Sequence, residues 1–320
     1  MISIERLKKV TRVVTHDNCA DGTTSAMILK LALPDASVEF VQYGSDAREK
    51  MVAEPGMLFC DMSPPESRAD DFLAVEAIVL DHHAKCKDTV LRFVERGLGA
   101  FGDEIENPGV GGALLAFWYV WEPLVSAGRI TEDWMRVEDL VTLAGIRDTW
   151  QTQDPRWIES QQLASAIRFW GPDTLIGTTP DSWESMLTLV GAREYERRLE
   201  LCTQSLEGSA RITTRRGLQV VAFNSIVPTS DASEMFRERP ELAGGPADVV
   251  AGYAVFVGDG RLKIVYSLRA ASEWDVGAFC KAQGGGGHTK AAGFHIVTHP
   301  DDRNPLGLLR RRLEDFEESL

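Results

Sequence analysis

The stretch VVTHDNCADGTTSA, residues 13–26, ends an apolar run and then places His16, Asp17, Cys19 and Asp21 close together. Imidazoles and carboxylates at this density can hold a divalent cation, or they can make a polar turn between a strand and a helix. Two later segments repeat the pattern. Asp61 follows the run in GMLFCDM (56–62), and Asp81, His82 and His83 follow the run in EAIVLDHH (76–83). A single acid at a strand end is an ordinary cap or turn residue, but recurrence at three strand ends points to one shared site. The chain has six histidines, and His16, His82 and His83 all fall in this set. Carboxylates with imidazoles suit Mn²⁺, Mg²⁺ or Fe²⁺ better than a thiolate zinc site. Shared carboxylates suit a pair of ions, which can clamp the attacking and leaving oxygens of a phosphoryl transfer. The cysteine is the odd member of the set.

The elements that must position these residues follow from the hydrophobic pattern. Short apolar runs at 10–16, 37–44, 56–62 and 76–83 read as strands, with helices at 24–33 and 66–74 between them. Strands separated by helices predict βαβ units and a mostly parallel sheet, where ligands gather at the carboxyl ends of the strands. Helical patterns follow at 110–127, 131–147, 157–170 and 182–206. From about 209 the texture returns to strands, with an Asp-Gly hairpin signal at Asp259-Gly260 in VFVGDGRLKIVYSL. The expected organisation is therefore α/β in two domains. A metal-binding domain (1–180) and a connecting helix (181–208) lead to a smaller α/β domain with a mixed sheet (209–320), and the active site is expected in the cleft between the domains.

In the second domain the helix-like EWDVGAFCKAQ leads into GGGGHTKAAGF. Gly284 to Gly287 would let backbone N–H groups approach an anion without Cβ obstruction. His288 would add a directional donor. A flexible linker is the plain alternative, but linkers rarely join an amphipathic helix to a β-rich segment.

Composition narrows the partners. The formal net charge is −14, and long nucleic acid is bound by neutralising many phosphates, so a small anionic substrate fits better. The five scattered cysteines form no C-x-x-C pair, which argues against a disulfide framework or zinc finger and for a cytoplasmic setting. The longest apolar stretch, VGGALLAFWYVW, is too short to span a bilayer, so no membrane partner is expected.

The residues also carry a resemblance. HDNCADGTTSA, FCDMS, VLDHHAKC and AGIRDTW occur in the order of the four motifs of DHH phosphoesterases. YSLRA with DVGAFCKAQGGGGHTKAAGF resembles the DHH-associated domain of one branch, which includes nano-RNases, oligoribonucleases and linear dinucleotide phosphodiesterases. The glycine-histidine motif argues against family II pyrophosphatases. The resemblance implies two divalent ions, usually manganese, with Mg²⁺, Fe²⁺ or Zn²⁺ as substitutes, and a bridging water or hydroxide that attacks phosphorus. It implies His16, Asp21, Asp61, His82 and Asp148 as metal ligands, with Asp61 shared by both ions. Asp81 would support the site or ligate weakly, and His83 would face the substrate phosphate. Arg269, with Gly285, Gly286, Gly287 and His288, would grip a terminal phosphate. The family's usual serine after the arginine is Ala270 here. Asp148, which spacing alone reads as a helix cap, becomes a ligand through the match to the fourth motif.

One departure matters. The family usually has aspartate where Cys19 stands, so a carboxylate is missing from the first ion's shell. The first site could be weak and fill only with substrate present; Asp17 could supply the oxygen; or Cys19 could ligate as thiolate. They are preferred in that order. The expected activity is hydrolysis of short nucleotide phosphodiesters such as nano-RNA, linear dinucleotides or nucleotide bisphosphates, and a homodimer is compatible with it. The rivals are a RecJ-like single-strand exonuclease, a polyphosphate hydrolase and a degenerate non-catalytic nucleotide-binding module.

Overall fold

The structure is a computed structural model, and it describes residues 2–17, 19–103, 106–107, 109–130, 134–258, 260–299 and 304–319. The chain divides into two compact units, Met1–Tyr195 and Glu196–Leu320, and the division falls inside the helix Ala192–Glu207.

The first unit is built on five short strands: β1 (Arg12–Thr15), β2 (Ser37–Phe40), β3 (Met57–Cys60), β4 (Ile78–Asp81) and β5 (Gly99–Phe101). They pair in the order β2-β1-β3-β4-β5, and every pairing is parallel. The central strands are apolar on both faces, as a parallel sheet covered by helices on each side requires. Val13, Leu58, Cys60, Ile78 and Leu80 join one core with the helices Ala20–Ala32, Trp134–Asp148 and Trp157–Trp170. Val14, Met57, Phe59 and Val79 point the other way into a core with Phe72 and Phe93. The ring of Phe59 meets that of Phe72 edge to face at 5.2 Å. β5 carries no sequence signal, being three residues that begin with glycine. Gly99 is needed because a Cβ there would lie 2.3 Å from the Val79 carbonyl oxygen. The apolar run at 110–121 is a helix from Gly112 to Ser126 with a π-helical turn at Phe117–Trp121.

The second unit carries a six-stranded mixed sheet in the order β10-β11-β9-β8-β7-β6. Its strands are β6 (Ala210–Thr213), β7 (Gln219–Asn224), β8 (Val249–Gly258), β9 (Arg261–Ala270), β10 (Gly286–His288) and β11 (Ala291–Thr298). β7 and β8 run parallel, and the other pairs are antiparallel. Ile264, Tyr266, Leu268, Ala292 and Phe294 bury one face under the helices Val276–Ala282 and Pro305–Ser319. Of the expected Asp-Gly turn, Asp259 lies outside the described residues.

Candidate metal centre and anion-binding row

β1, β3 and β4 lie side by side, so the segments that follow them meet at one edge of the sheet. Asp61 is the hub. It is fully buried, its backbone N–H donates to the Leu80 carbonyl at 2.9 Å, and it adopts φ +57°. That conformation is rare for a residue with a Cβ and is held here by the surrounding packing. His16 Nε2 lies 3.0 Å from Asp61 Oδ2, and His82 Nε2 lies 3.0 Å from Asp61 Oδ1. Burial pushes the Asp61 carboxyl up, but the hydrogen bonds and charges of His16 and His82 outweigh it and leave the group below its ordinary range.

His82 Nε2 also lies 3.7 Å from Asp21 Oδ2 and 3.4 Å from Asp148 Oδ2, so one imidazole nitrogen sits among three carboxylates. Asp148 is the last residue of its helix, and Asp21 lies in the first turn of the helix that follows Cys19. Asp21 accepts the backbone N–H of Gly112, and that of Ala113 at 3.0 Å, which ties it to the N-terminus of the 112–126 helix. Burial, and then the charges of Asp61 and Asp148, push the Asp21 carboxyl well above its ordinary value. Asp148 is raised by burial and then by Asp61. The cluster is short of positive charge.

Among the described residues donor atoms therefore gather in three groups, each within 4.8 Å: His16, Cys19 and Asp61; Asp61, His82 and His83; and Asp21, His82 and Asp148. Cys19 caps its helix: Sγ accepts the Gly22 N–H at 3.2 Å, and it lies 3.4 Å from Asp61 Oδ2 and 3.7 Å from His16 Nε2. Asp17 does not join the group, because its carboxylate accepts from Gln42 Nε2 at the exposed surface. The structure thus places the Asp17 carboxylate away from the cluster. Asp81 also stays outside the donor groups. Its Oδ1 accepts from His83 Nδ1 at 2.7 Å and from the His83 backbone N–H at 3.1 Å. Burial lowers the His83 pKa, but the hydrogen bond and charge of Asp81 more than compensate and raise it.

Two contributions escaped the sequence reading. Tyr43, just beyond β2, donates its hydroxyl to Asp81 Oδ2 at 3.3 Å, and its ring lies 5.5 Å from that of His83. The buried Arg48 sits over the Tyr43 ring at 4.7 Å. Gly111 and Gly112 make room for the carboxylates. A Cβ on Gly111 would lie 2.6 Å from Asp21 Oδ2, and one on Gly112 would lie 2.4 Å from Asp61 Cβ. The one available signal was a Gly-Gly pair opening an otherwise apolar helix.

In the second unit the GGGGH segment differs from the open loop expected there. Gly286–His288 is strand β10, paired with β11. A Cβ on Gly285 would lie 2.1 Å from the Gly293 carbonyl oxygen, and one on Gly287, at φ +141°, would lie 2.5 Å from that of Ala291. These two glycines serve strand packing, while Gly286 opens onto free space. The register places His288, Ala291 and Arg269 in one row across β10, β11 and β9, hence on one face of the sheet. Strands lie about 4.8 Å apart, so His288 and Arg269 flank Ala291 at roughly 10 Å. Arg269 Nη1 is held by Ser267 Oγ at 3.1 Å and the Leu268 carbonyl at 3.0 Å.

Two solved structures share this architecture along nearly the whole chain. The pGpG-specific phosphodiesterase PggH from Vibrio cholerae matches with a TM-score of 0.53 at 14% identity, covering 95% of this chain and 99% of that one. A DHH-domain structure described as a member of a family of ribosomal proteins matches with a TM-score of 0.54 at 12% identity, covering 98% and 87%. The chain has the two-domain DHH fold. CDC45 from Entamoeba histolytica is similar at a TM-score of 0.50 and 8% identity, covering 97% and 96%. No protein-family model matches the chain, and no curated protein matches it significantly in sequence. The DHH fold thus rests on structure and on the motif residues at the ends of β1, β3 and β4.

Proposed function

We propose that the protein is a metal-dependent phosphoesterase that hydrolyses short nucleotide phosphodiesters: nano-RNA, linear dinucleotides or nucleotide bisphosphates. The observation that carries this reading is the buried cluster in which Asp61 is shared between a His16 end and a His82 end. Its donor set fits divalent cations, because the surplus of buried carboxylates holds Asp21 and Asp148 toward protonation when no cation offsets them. His16, Asp21, Asp61, His82 and Asp148 would hold two ions, Mn²⁺ being the first choice for the oxygen-rich end. When bound, such a pair supplies charge that offsets the phosphate's and activates water as the nucleophile.

The chain's own groups do the rest. Asp81 fixes the His83 ring through Nδ1 and leaves Nε2 to meet a phosphate oxygen or the leaving oxygen. Tyr43 steadies Asp81. In the second unit, Arg269 and His288 offer two donors across a floor of small residues, Gly286, Ala291 and Gly293, which suits a terminal phosphate. All five cysteines are free, which fits a cytoplasmic, reducing setting. Among the described residues no helix is long and apolar enough to cross a membrane.

The test is turnover by the purified chain, loaded with Mn²⁺, Mg²⁺ or Zn²⁺. The substrates are linear dinucleotides, RNA and DNA oligomers of graded length, and polyphosphate. Cleavage of the shortest substrates, abolished by a chelator, is expected. Activity confined to long strands or to polyphosphate, or binding without turnover, would overturn the reading.

A further inference from the structure

The two ends of the centre differ in chemical character. The His82 end offers an imidazole with the carboxylates of Asp21, Asp61 and Asp148, a hard donor set. The His16 end offers an imidazole, one oxygen of Asp61 and the sulfur of Cys19.

The position of that sulfur is fixed rather than incidental. Cys19 is the N-cap of the helix Ala20–Ala32, in extended backbone at φ −134° and ψ 167°. This geometry turns Sγ back over the first turn, where the Gly22 N–H holds it. Gly22 cannot be replaced without moving this turn, since a Cβ there would lie 2.2 Å from the His16 carbonyl oxygen. Serine, threonine, aspartate and asparagine are the ordinary N-caps, so capping alone does not account for a cysteine. The carboxylate of Asp17 accepts from Gln42 Nε2 at the exposed surface instead.

We propose, building on the metal-centre reading above, that Cys19 Sγ is a ligand at the His16 end and makes that end selective for a softer cation than the His82 end. The pair would then be mixed, with a zinc- or ferrous-type ion beside the thiolate and a manganese- or magnesium-type ion among the carboxylates. On binding, the S–H proton leaves to solvent as the sulfur–metal bond forms, and nothing is oxidised or reduced. Cys19 thus acts as a specificity-determining residue for the metal.

The experiment uses the full chain, stripped of metal under reducing conditions, beside Cys19→Asp and Cys19→Ser. Both variants replace the sulfur N-cap with an oxygen one, and circular dichroism checks that they fold. Cobalt(II) is the spectroscopic probe, and competition between Zn²⁺ and Mn²⁺ measures selectivity at each of the two sites. The unsubstituted chain is expected to show thiolate-to-cobalt charge-transfer absorption in the near ultraviolet, and both variants should lack it. In Cys19→Asp the Zn²⁺-over-Mn²⁺ preference should fall on the order of tenfold or more at one site, and the other site should be unchanged. Two cobalt ions bound without that absorption, or equal selectivity in all three proteins, would overturn the proposal while leaving the metal centre standing. Failure of both the unsubstituted chain and Cys19→Asp to bind any divalent ion would overturn the centre itself.

Discussion

At the scale of single residues, the distinction between holding an ion and orienting the His83 ring is sharp enough to test. Asp81 and Tyr43 contact His83 and each other but lie outside the donor groups. Removing the Tyr43 hydroxyl deletes a hydrogen bond that is long at 3.3 Å, worth about 1 kcal/mol, or roughly fivefold in kcat. Asp81→Asn removes the charge that orients the His83 ring and should cost more, about 10- to 100-fold in kcat. Calorimetric titration with Mn²⁺ should find the same number of ions in both variants. A lost ion in Asp81→Asn would make Asp81 a ligand rather than a positioning residue. The gathering of His16, Asp21, Asp61, His82 and Asp148 was legible in the sequence because each sits at a fixed place in a motif beside a strand or helix end. Tyr43 was not, because a lone aromatic past an edge strand carries no pattern. Nor was the choice between Asp17 and Cys19, because both are short polar residues in one turn. Only the N-cap geometry shows which side chain turns inward.

At the scale of elements, the centre depends on a helix approaching a strand end more closely than side chains allow. The 112–126 helix donates its first N–H groups to Asp21 while its Gly112 lies against the Asp61 backbone. Gly112→Ala would put Cβ 2.4 Å from Asp61 Cβ and 2.6 Å from its Cα, so the helix or Asp61 must move. Overpacking of this kind costs about 1–3 kcal/mol, and here the displaced group is the shared carboxylate. Denaturant unfolding should show a loss in that range, and divalent-ion affinity should fall more than stability does. A destabilised variant with unchanged ion affinity would mean the helix and the centre are not mechanically linked. Periodicity revealed this helix and most of the others, since an amphipathic pattern is local. The Gly-Gly requirement was hidden because a contact between segments far apart in sequence creates it. β10 was hidden for a related reason: a glycine run has no alternation, and pairing to β11 alone makes it a strand.

At the scale of the whole molecule, a net charge of −14 coexists with sheet strands that carry no carboxylate of their own, although Asp231 of the helix Thr229–Glu238 acts on Arg269 from the same side. Strands β8 to β11 contain none, and the face that bears Arg269 and His288 also bears Lys263, with Phe256 and Val297 beside it in register. Lys263 is six residues from Arg269 along β9, or about 20 Å at strand rise. A dinucleotide anchored at Arg269 would fall short of it, whereas a longer oligonucleotide lying along the strand would reach it. Lys263→Ala should therefore leave dinucleotide turnover unchanged and raise KM only for longer substrates. Salt gives an independent measure. With contacts limited to Arg269, Lys263 and Arg261, the logarithm of oligonucleotide affinity should fall with that of salt at a slope of roughly −2. A track built for long single strands would engage many more phosphates and give a much steeper slope. A steep slope together with a Lys263→Ala defect on dinucleotides would mean that the acidic surface conceals a channel for long strands, and the short-substrate reading would fail.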